Sequence, residues 1–264
     1  MIGRLSLLRI NLINRFQRDT AYFAENWSNV FSTVLFTATQ IVLVEFLFGN
    51  ITSLGGFSKN DIYFLLFFGQ IAFYSQMALS FTPATEFAED VNQGNLDIML
   101  TKPVPVVWHA YTKSISFVQM FRDGIPPMLP FLFLIDWSAL EISTYTLAAG
   151  LVIFIAGFII DHVLVFTLSL SSFWSGSSTF ILNFFWAERT ETKIPFETLF
   201  DWFKVLMFIL TPVFVVVSLS VSVILGHTEP VFWSIVSVSV AVVAVCLSRI
   251  MWRKALRQYS SASS

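Results

Sequence analysis

The chain has 264 residues, of which 56% are hydrophobic and only 12% are charged, and its mean hydropathy is +0.74. Soluble domains carry about 25% charged residues, so this composition excludes a water-soluble fold and predicts an all-α integral membrane protein. The net charge of −2 gives no indication of a nucleic-acid partner, and the single cysteine, Cys246, excludes an intrachain disulfide.

Residues 1–26 are predicted to form an interfacial helix rather than a cleavable signal peptide. Arg4 and Arg9 are followed by further polar residues, where a signal peptide would have its apolar region. A helical arrangement puts most arginines opposite one apolar face, which consists of Ile2, Leu5, Leu8, Leu12, Ile13 and Phe16. We expect this helix to lie in the headgroup plane with its arginines toward anionic lipid, and a frayed cytoplasmic tail is the alternative.

Six membrane-spanning helices are expected, because a span needs about 20 mainly apolar residues. A segment at 114–135 qualifies despite Arg122, Asp123 and three prolines. Lysine and arginine clusters at both ends of the chain place both termini in the cytoplasm, so the number of crossings is even. Four further segments qualify cleanly, namely 27–49, 62–82, 145–172 and 231–251.

The position of the fifth span is open between two alternatives. In one, 173–187 is a short span that completes spans three to five within 114–187, and 188–230 is an extracytoplasmic segment with a re-entrant hairpin. In the other, 173–202 is a cytoplasmic amphipathic segment and 203–226 is the span. Both alternatives make the last span run inward to a cytoplasmic tail, 252–264.

Five ionisable residues fall within the predicted spans, where a charge costs several kcal/mol unless it is paired or hydrated. Arg122 and Asp161 are predicted at similar depths near the inner face, and we hypothesise that they form an ion pair that fixes helix packing. Substrate contact and solvent exposure are the alternatives. The full set is Glu45, Arg122, Asp123, Asp161 and His162.

Two of these five residues have simpler interpretations. Glu45 is near the outer end of the first span, from where its side chain can extend into the headgroup region. His162 is predicted to be a hydrogen-bonded packing residue, since no second histidine or cysteine lies at ligand spacing. No metal site is therefore expected.

The cytoplasmic loop at 83–113 contains the most informative motif of the chain. It begins with an acidic helical turn, stops at a glycine, continues as a short apolar turn and leaves through Lys-Pro. Such a segment suits a short helix held at the membrane surface and presented to a soluble partner, although an ordinary capped surface loop is the alternative. The residues selected are Glu86, Glu89, Asp90, Asn92, Gly94, Asp97, Lys102 and Pro103.

This loop, with its Gly-Asn-Leu-Asp, Met-Leu and Lys-Pro-Val elements, resembles the ABC-2-type membrane subunits of ABC exporters. The C-terminal pattern of Trp252, Leu256, Arg257 and Tyr259 before a serine-rich end resembles the same family. The resemblance implies that 83–113 is the coupling loop for an ATPase and that 1–26 is a connecting helix. It also implies a re-entrant hairpin before the last span, which favours 173–187 as span five. The polar Arg122-Asp123-Gly124 stretch departs from the family pattern.

The resemblance implies a permease subunit of an ATP-driven exporter in the bacterial cytoplasmic (inner) membrane. Two cytoplasmic ATPase subunits would drive it, and a second permease copy or a related permease would complete the membrane domain. The chain has no phosphate-binding Gly-x-x-x-x-Gly-Lys-Ser/Thr motif, so ATP and Mg are expected on the partner and no cofactor on this chain.

Other classes of function are less consistent with the sequence. A non-catalytic anchor or receptor that assembles a multi-subunit complex shares every feature except transport and is the alternative. A membrane enzyme is disfavoured, because neither His-Glu-x-x-His nor Gly-x-Ser-x-Gly occurs. An ion-gradient carrier would be expected to show inverted repeats, and none is convincing.

Overall fold

The computed structural model describes residues 4–21, 23–175, 181–183, 195–200, 202–204 and 214–259. These residues form helices and contain no β-strand, the only bridge among them being an isolated one between Leu54 and Phe57. The helices are α1 (Arg4–Thr20), α2 (Phe23–Phe48), α3 (Lys59–Gln76), α4 (Thr82–Asn92), α5 (Leu96–Leu100), α6 (Val106–Ser114), α7 (Phe117–Leu134), α8 (Thr144–Ser169), α9 (Ser172–Ser175), α10 (Ser220–Ile224) and α11 (Pro230–Gln258).

Within the described residues, four helical segments are long and apolar enough to cross a membrane. They confirm the four cleanly predicted spans as helices, and they are Trp27–Phe48, Lys59–Asn92, Thr144–Ser175 and Pro230–Gln258. The second segment is continuous because a π-helical turn, Met77–Phe81, joins α3 to α4. The predicted span at 114–135 corresponds to α7, an 18-residue helix that is less apolar because it contains Arg122 and Asp123.

Side chains cap the amino-terminal ends of α3, α8 and α11. Ser58 and Asp61 form a reciprocal capping box at the start of α3. The Ser143 hydroxyl accepts from the Thr146 N–H at 3.0 Å at the start of α8. The Glu229 carboxylate accepts from the Val231 N–H at 3.0 Å at the start of α11. These caps stabilise helix ends whose first N–H groups have no partner within the helix.

The centre of the fold is the packing of α8 against α11, α10 and the π-helical turn Val215–Leu219 that precedes α10. Every residue of 214–224 is buried. The helices α8 and α10 approach closely at Gly150, where a Cβ atom would lie 2.3 Å from Cγ1 of Ile224 and 2.9 Å from the carbonyl oxygen of Ser220. The short helix α10 therefore packs against α8 at a position where only glycine leaves enough space.

The two alternatives for the fifth span fall largely outside the described residues. Of 173–187 the structure describes 173–175 and 181–183, and of 203–226 it describes 203–204 and 214–226. The position of span five therefore stays a prediction.

Replacing Gly150 by alanine should lower the free energy of unfolding by about 1–3 kcal/mol, because the new methyl group overpacks the contact with Ile224. The measurement is thermal unfolding in detergent, followed by tryptophan fluorescence. Gly49→Ala is the matched control, since its Cβ would lie at 3.4 Å from the nearest backbone oxygens. Equal melting temperatures for the two variants would contradict the close approach.

Candidate functional site

The loop between the second and third predicted spans folds into three short helices, α4, α5 and α6. The helix α4 ends at Asn92, and Gly94 follows with a φ of 76°, a left-handed conformation that glycine adopts without strain. The Asn95 N–H then donates to the carbonyl oxygen of Asp90 at 2.8 Å, which closes the helix end. The glycine stop in the motif therefore has a defined geometric role.

Glu86, the first acidic residue of the motif, joins three helices. Its carboxylate accepts hydrogen bonds from Arg15 and, at 2.8 Å, from Nη2 of Arg18, both on α1. Ser114 on α6 donates to the other carboxylate oxygen at 2.7 Å. Charge-assisted hydrogen bonds of this kind are stronger than neutral ones. Glu86 therefore holds α1, α4 and α6 together rather than facing outward.

The arginines of α1 thus differ in part from the sequence expectation that they face lipid. The side chain of Arg15 is only 9% exposed, because Glu86 and Asp19 hold it inside the protein, whereas that of Arg18 is 56% exposed. The opposite, apolar face of α1 stays open, with Ile13 45% exposed and Phe16 59% exposed.

Further polar contacts dock α1 onto α6 and onto the start of α7. The Asn11 amide donates to the hydroxyl of Thr112 at 3.1 Å. Ser116 donates to the carboxylate of Asp19 at 2.5 Å. Burial raises the pKa of Asp19, while the bond from Ser116 and the charges of Arg18 and Arg122 oppose this effect. The helix α1 is therefore held against α6 and the start of α7 by polar contacts.

Asp90, the third acidic residue of the motif, is also held internally. It is 8% exposed, and it pairs with Lys113 on α6. The Asn95 amide donates to its second carboxylate oxygen at 3.3 Å. This pair connects α4 to α6 along the same face that Glu86 uses.

Four further motif residues, Glu89, Asn92, Lys102 and Pro103, are exposed. Two apolar side chains on α5 stand out, since Ile98 is 61% exposed and Leu100 is 47% exposed. Exposed polar and charged side chains precede and follow them in the loop. We call this set the tip surface, and it consists of Glu89, Asn92, Gln93, Ile98, Leu100, Lys102 and Pro103.

The inner face of α4 packs into an aromatic cluster that joins the loop to the predicted spans. Phe87 is fully buried, and its ring centroid lies 5.9 Å from that of Phe166 on α8 and 6.0 Å from that of Trp252 on α11. Phe173 on α9 packs against Trp252 at 6.2 Å and against Tyr259 at 5.8 Å. The loop motif and the C-terminal motif are therefore in direct contact.

Asp97 lies between the tip surface and the C-terminal end of the chain. Burial raises the pKa of the Tyr259 phenol, and the neighbouring Asp97 carboxylate raises it further. This motif residue is half-buried beside the tail rather than part of the tip surface.

Arg122 pairs with the adjacent Asp123, with Nε to Oδ1 at 2.6 Å and Nη2 to Oδ2 at 2.7 Å. This contact between neighbours in the chain was not predicted from the sequence. It does not test the predicted ion pair between Arg122 and Asp161, which stays a prediction.

Asp161 and His162 lie close to α6 of the loop. Asp161 is fully buried. Burial raises the pKa of the Tyr111 phenol on α6, and the neighbouring charge of Asp161 raises it further. The Tyr111 ring meets the His162 ring edge-on at 4.8 Å, and Nδ1 of His162 lies 3.1 Å from the Ser80 hydroxyl in the π-helical turn. His162 is thus a hydrogen-bonded packing residue in this arrangement.

Glu45 forms specific contacts near the outer end of α2. Lys59 donates to its Oε2 at 2.6 Å, and the Tyr63 hydroxyl donates to its other carboxylate oxygen. These contacts connect α2 to α3. Among the described residues, no group of three or more histidine, cysteine, aspartate or glutamate side chains could hold a metal ion.

A family model described as ABC-2 family transporter protein matches residues 34–263. The chain belongs to the ABC-2 transporter family. The resemblance found in the loop and the C-terminal motifs is therefore confirmed, and the chain is a multi-pass membrane component of a transporter. Comparison with curated proteins and with solved structures gives no match. The family implies in general an ABC ATPase as a partner.

His109 is a site residue of this ABC-2 transporter protein that sequence reasoning missed. Nζ of Lys102 lies 2.7 Å from Nε2 of His109. Because an ammonium group only donates, this Nε2 must carry a lone pair, so the imidazole is neutral. Burial, and then the charges of Lys102 and Lys113, lower the pKa of His109. The residue keeps Lys102 beside α6, a role that no sequence motif indicates.

Replacing Glu86 by glutamine should destabilise the protein by about 1.5–3 kcal/mol, because the arginines of α1 lose their charged acceptor. Thermal unfolding in detergent and tryptic cleavage after Arg15 and Arg18 measure the effect. Glu89→Gln is the matched control on the same helix, since Glu89 is exposed. If both variants unfold and cleave alike, Glu86 does not hold α1.

Acidification should loosen the contact between Lys102 and α6. A lowered histidine pKa means that the folded state disfavours the protonated form, so this contribution to stability is complete above 6.5 and is lost as the pH falls through the lowered value. Once the observed rates are compared with the intrinsic exchange rate at each pH, the protection of the amides in 96–112 should therefore be lower at about pH 5 than at about pH 7. His109→Gln should remove this dependence and His227→Gln should keep it. The reverse pattern would contradict the assignment.

Proposed function

We propose that this chain is the permease subunit of an ATP-driven ABC exporter and that its tip surface docks onto a separate ATPase subunit. The observation that supports this most is the division of the motif into two parts. Glu86 and Asp90 form contacts that hold the loop together, whereas Glu89, Asn92 and Ile98 are exposed. A loop that served only to connect two spans would not need an exposed apolar end on a braced base.

The chemistry of the tip surface fits a protein partner. Protein interfaces have an apolar centre that is surrounded by a polar rim. Ile98 and Leu100 supply such a centre, and Glu89, Asn92 and Lys102 supply a rim with charges of both signs. ATP and Mg would be bound by that partner.

The connections of the loop favour transmission of movement from the partner into the membrane. The tip surface is rooted in α4, which continues through the π-helical turn Met77–Phe81 into α3. π-Helical turns occur frequently at functional sites. A displacement of α4 would also reach α8 and α11, because Phe87 packs against Phe166 and Trp252. A partner that pulls on α5 would therefore act on three of the candidate spans.

The proposed topology has six spans, cytoplasmic termini and a re-entrant hairpin before α11, in the bacterial inner membrane. In support, the buried apolar helix Val215–Ile224 has about half the length that the hydrocarbon core requires, as one arm of a hairpin would. The helix α2 exposes large apolar side chains such as Phe31 and Phe46, both 70% exposed, to lipid or to a second permease copy.

Mutating Ile98 to serine tests the proposed function. The ATPase that co-purifies with the tagged chain should bind about tenfold or more weakly, because an exposed apolar anchor at an interface contributes more than about 1.4 kcal/mol. The rate of ATP turnover in the purified complex should fall with it. Ile51→Ser is the matched control, since Ile51 is also exposed but follows the C-terminal end of α2, on the opposite side of the membrane from the loop in the proposed topology.

Three outcomes count against the proposal. The first is that no ATPase co-purifies with the wild-type chain. The second is that Ile98→Ser and Ile51→Ser have equal effects. The third is that Ile98→Ser weakens binding of another protein and leaves ATP turnover intact, which is the result that a non-catalytic anchor would give.

A further inference from the structure

A cavity of about 480 Å³ lies between α2, α3 and α7, away from the tip surface. Cavities of 300–1,000 Å³ are typical of small-molecule sites. Its lining is unusual for a chain with so few polar residues, because amide, hydroxyl and carboxylate groups from all three helices face one space. These residues are Asn29, Ser32, Thr33, Gln70, Gln119 and Asp123.

Polar groups at this depth need partners, because lipid tails offer no hydrogen bonds. Asn29 and Ser32 are exposed on α2, so this wall of the cavity is accessible from outside the chain. Gln70 is 2% exposed, and its amide donates to Oε1 of Gln40 at 3.0 Å, which fixes its orientation. The cavity therefore combines an open side with a preorganised polar floor.

The charge of the lining restricts what can bind. Asp123 is buried at 6% exposure, and Arg122 neutralises it through two hydrogen bonds. The other polar lining groups are uncharged amides and hydroxyls. A site without net charge favours an uncharged ligand, since a charged headgroup would lose its hydration without gaining a counter-charge.

Three of the remaining lining residues are apolar, and the fourth is Tyr74. Phe36, Phe73 and Met77 line the cavity beside the polar groups. The helices α3 and α7 are close together, because a Cβ atom on Gly124 would lie 3.0 Å from Cβ of Tyr74. A ligand that fits both surfaces has a polar head and an apolar chain.

The lining residues also place the cavity along the spans. Asn29 is two residues from Trp27, where the first candidate span begins, and Gln119 is two residues from Phe117, where α7 begins, so each is about 3 Å from that inner end. Under the proposed topology, the cavity therefore occupies the cytoplasmic half of the membrane.

We propose that this cavity binds the uncharged polar headgroup of an amphiphile, which enters from the cytoplasmic leaflet past α2. The amide groups of Asn29 and Gln70 receive the head, and Phe36 and Phe73 contact the first part of the chain. The inference rests on the proposed function for its orientation and names the substrate class that the exporter would load.

A labelling experiment on the full chain tests this site. In a Cys246→Ser background, Ser32→Cys places a thiol in the cavity wall, and Phe31→Cys places one at the same depth on the exposed face of α2. The probe is 1-monooleoylglycerol, and the readout is the rate of maleimide labelling. At about ten times its Kd, the probe should slow labelling of Ser32→Cys about tenfold, because only the unoccupied fraction reacts. Labelling of Phe31→Cys should not change.

Two further arms make the test specific. Adding Asn29→Leu to Ser32→Cys should remove the protection. An anionic probe with the same chain, 1-oleoyl lysophosphatidate, should protect weakly. Equal protection at the two thiols, or equal protection by the two probes, would overturn the proposal, as would no protection by monooleoylglycerol. Because no ATPase is present, failure here would leave the tip-surface result untouched.

Discussion

The carboxylate of Glu86 is the contact on which the geometry of the loop depends. Arg15 and Arg18 approach it from α1, and Ser114 approaches it from α6, while the backbone of Glu86 belongs to α4. Without this acceptor, three helices that are far apart in the chain would have no common charged contact. With it, the base of the loop is held together, while the tip surface stays exposed.

The aromatic cluster gives this base a mechanical connection to the membrane part. Phe87 reaches α8 and α11, and the π-helical turn carries α4 into α3. Gln70 and Tyr74 of α3 line the cavity between α2, α3 and α7. The continuous helical segment Lys59–Asn92 therefore contributes both to the tip surface and to the wall of the cavity.

The sequence predicted the parts of the fold that depend on local composition. The four clean spans follow from long apolar runs, and the end of α4 follows from Gly94. It could not predict contacts between distant residues. Arg15 and Glu86 are separated by 71 residues, and no periodicity connects them. Helical periodicity placed Arg15 on a polar face, but it could not show that this face meets α4 and α6 rather than lipid.

The pair between Arg122 and Asp123 was missed for a similar reason. Depth along a span is only one coordinate, and the direction in which a side chain points around the helix axis is another. The contact between Arg122 and Asp123 depends on neither coordinate, since the two residues are adjacent in the chain. The division of the motif between internal and outward residues was likewise invisible, because it depends on where α1 and α6 pack.

Hydrogen exchange on the purified complex with its ATPase tests the central claim most directly. The claim predicts that binding of the ATPase slows exchange in 89–103, where the tip surface lies, and leaves 49–58 unchanged. Unchanged exchange in 89–103, or protection confined to 49–58, would contradict the assignment of the tip surface as the docking site.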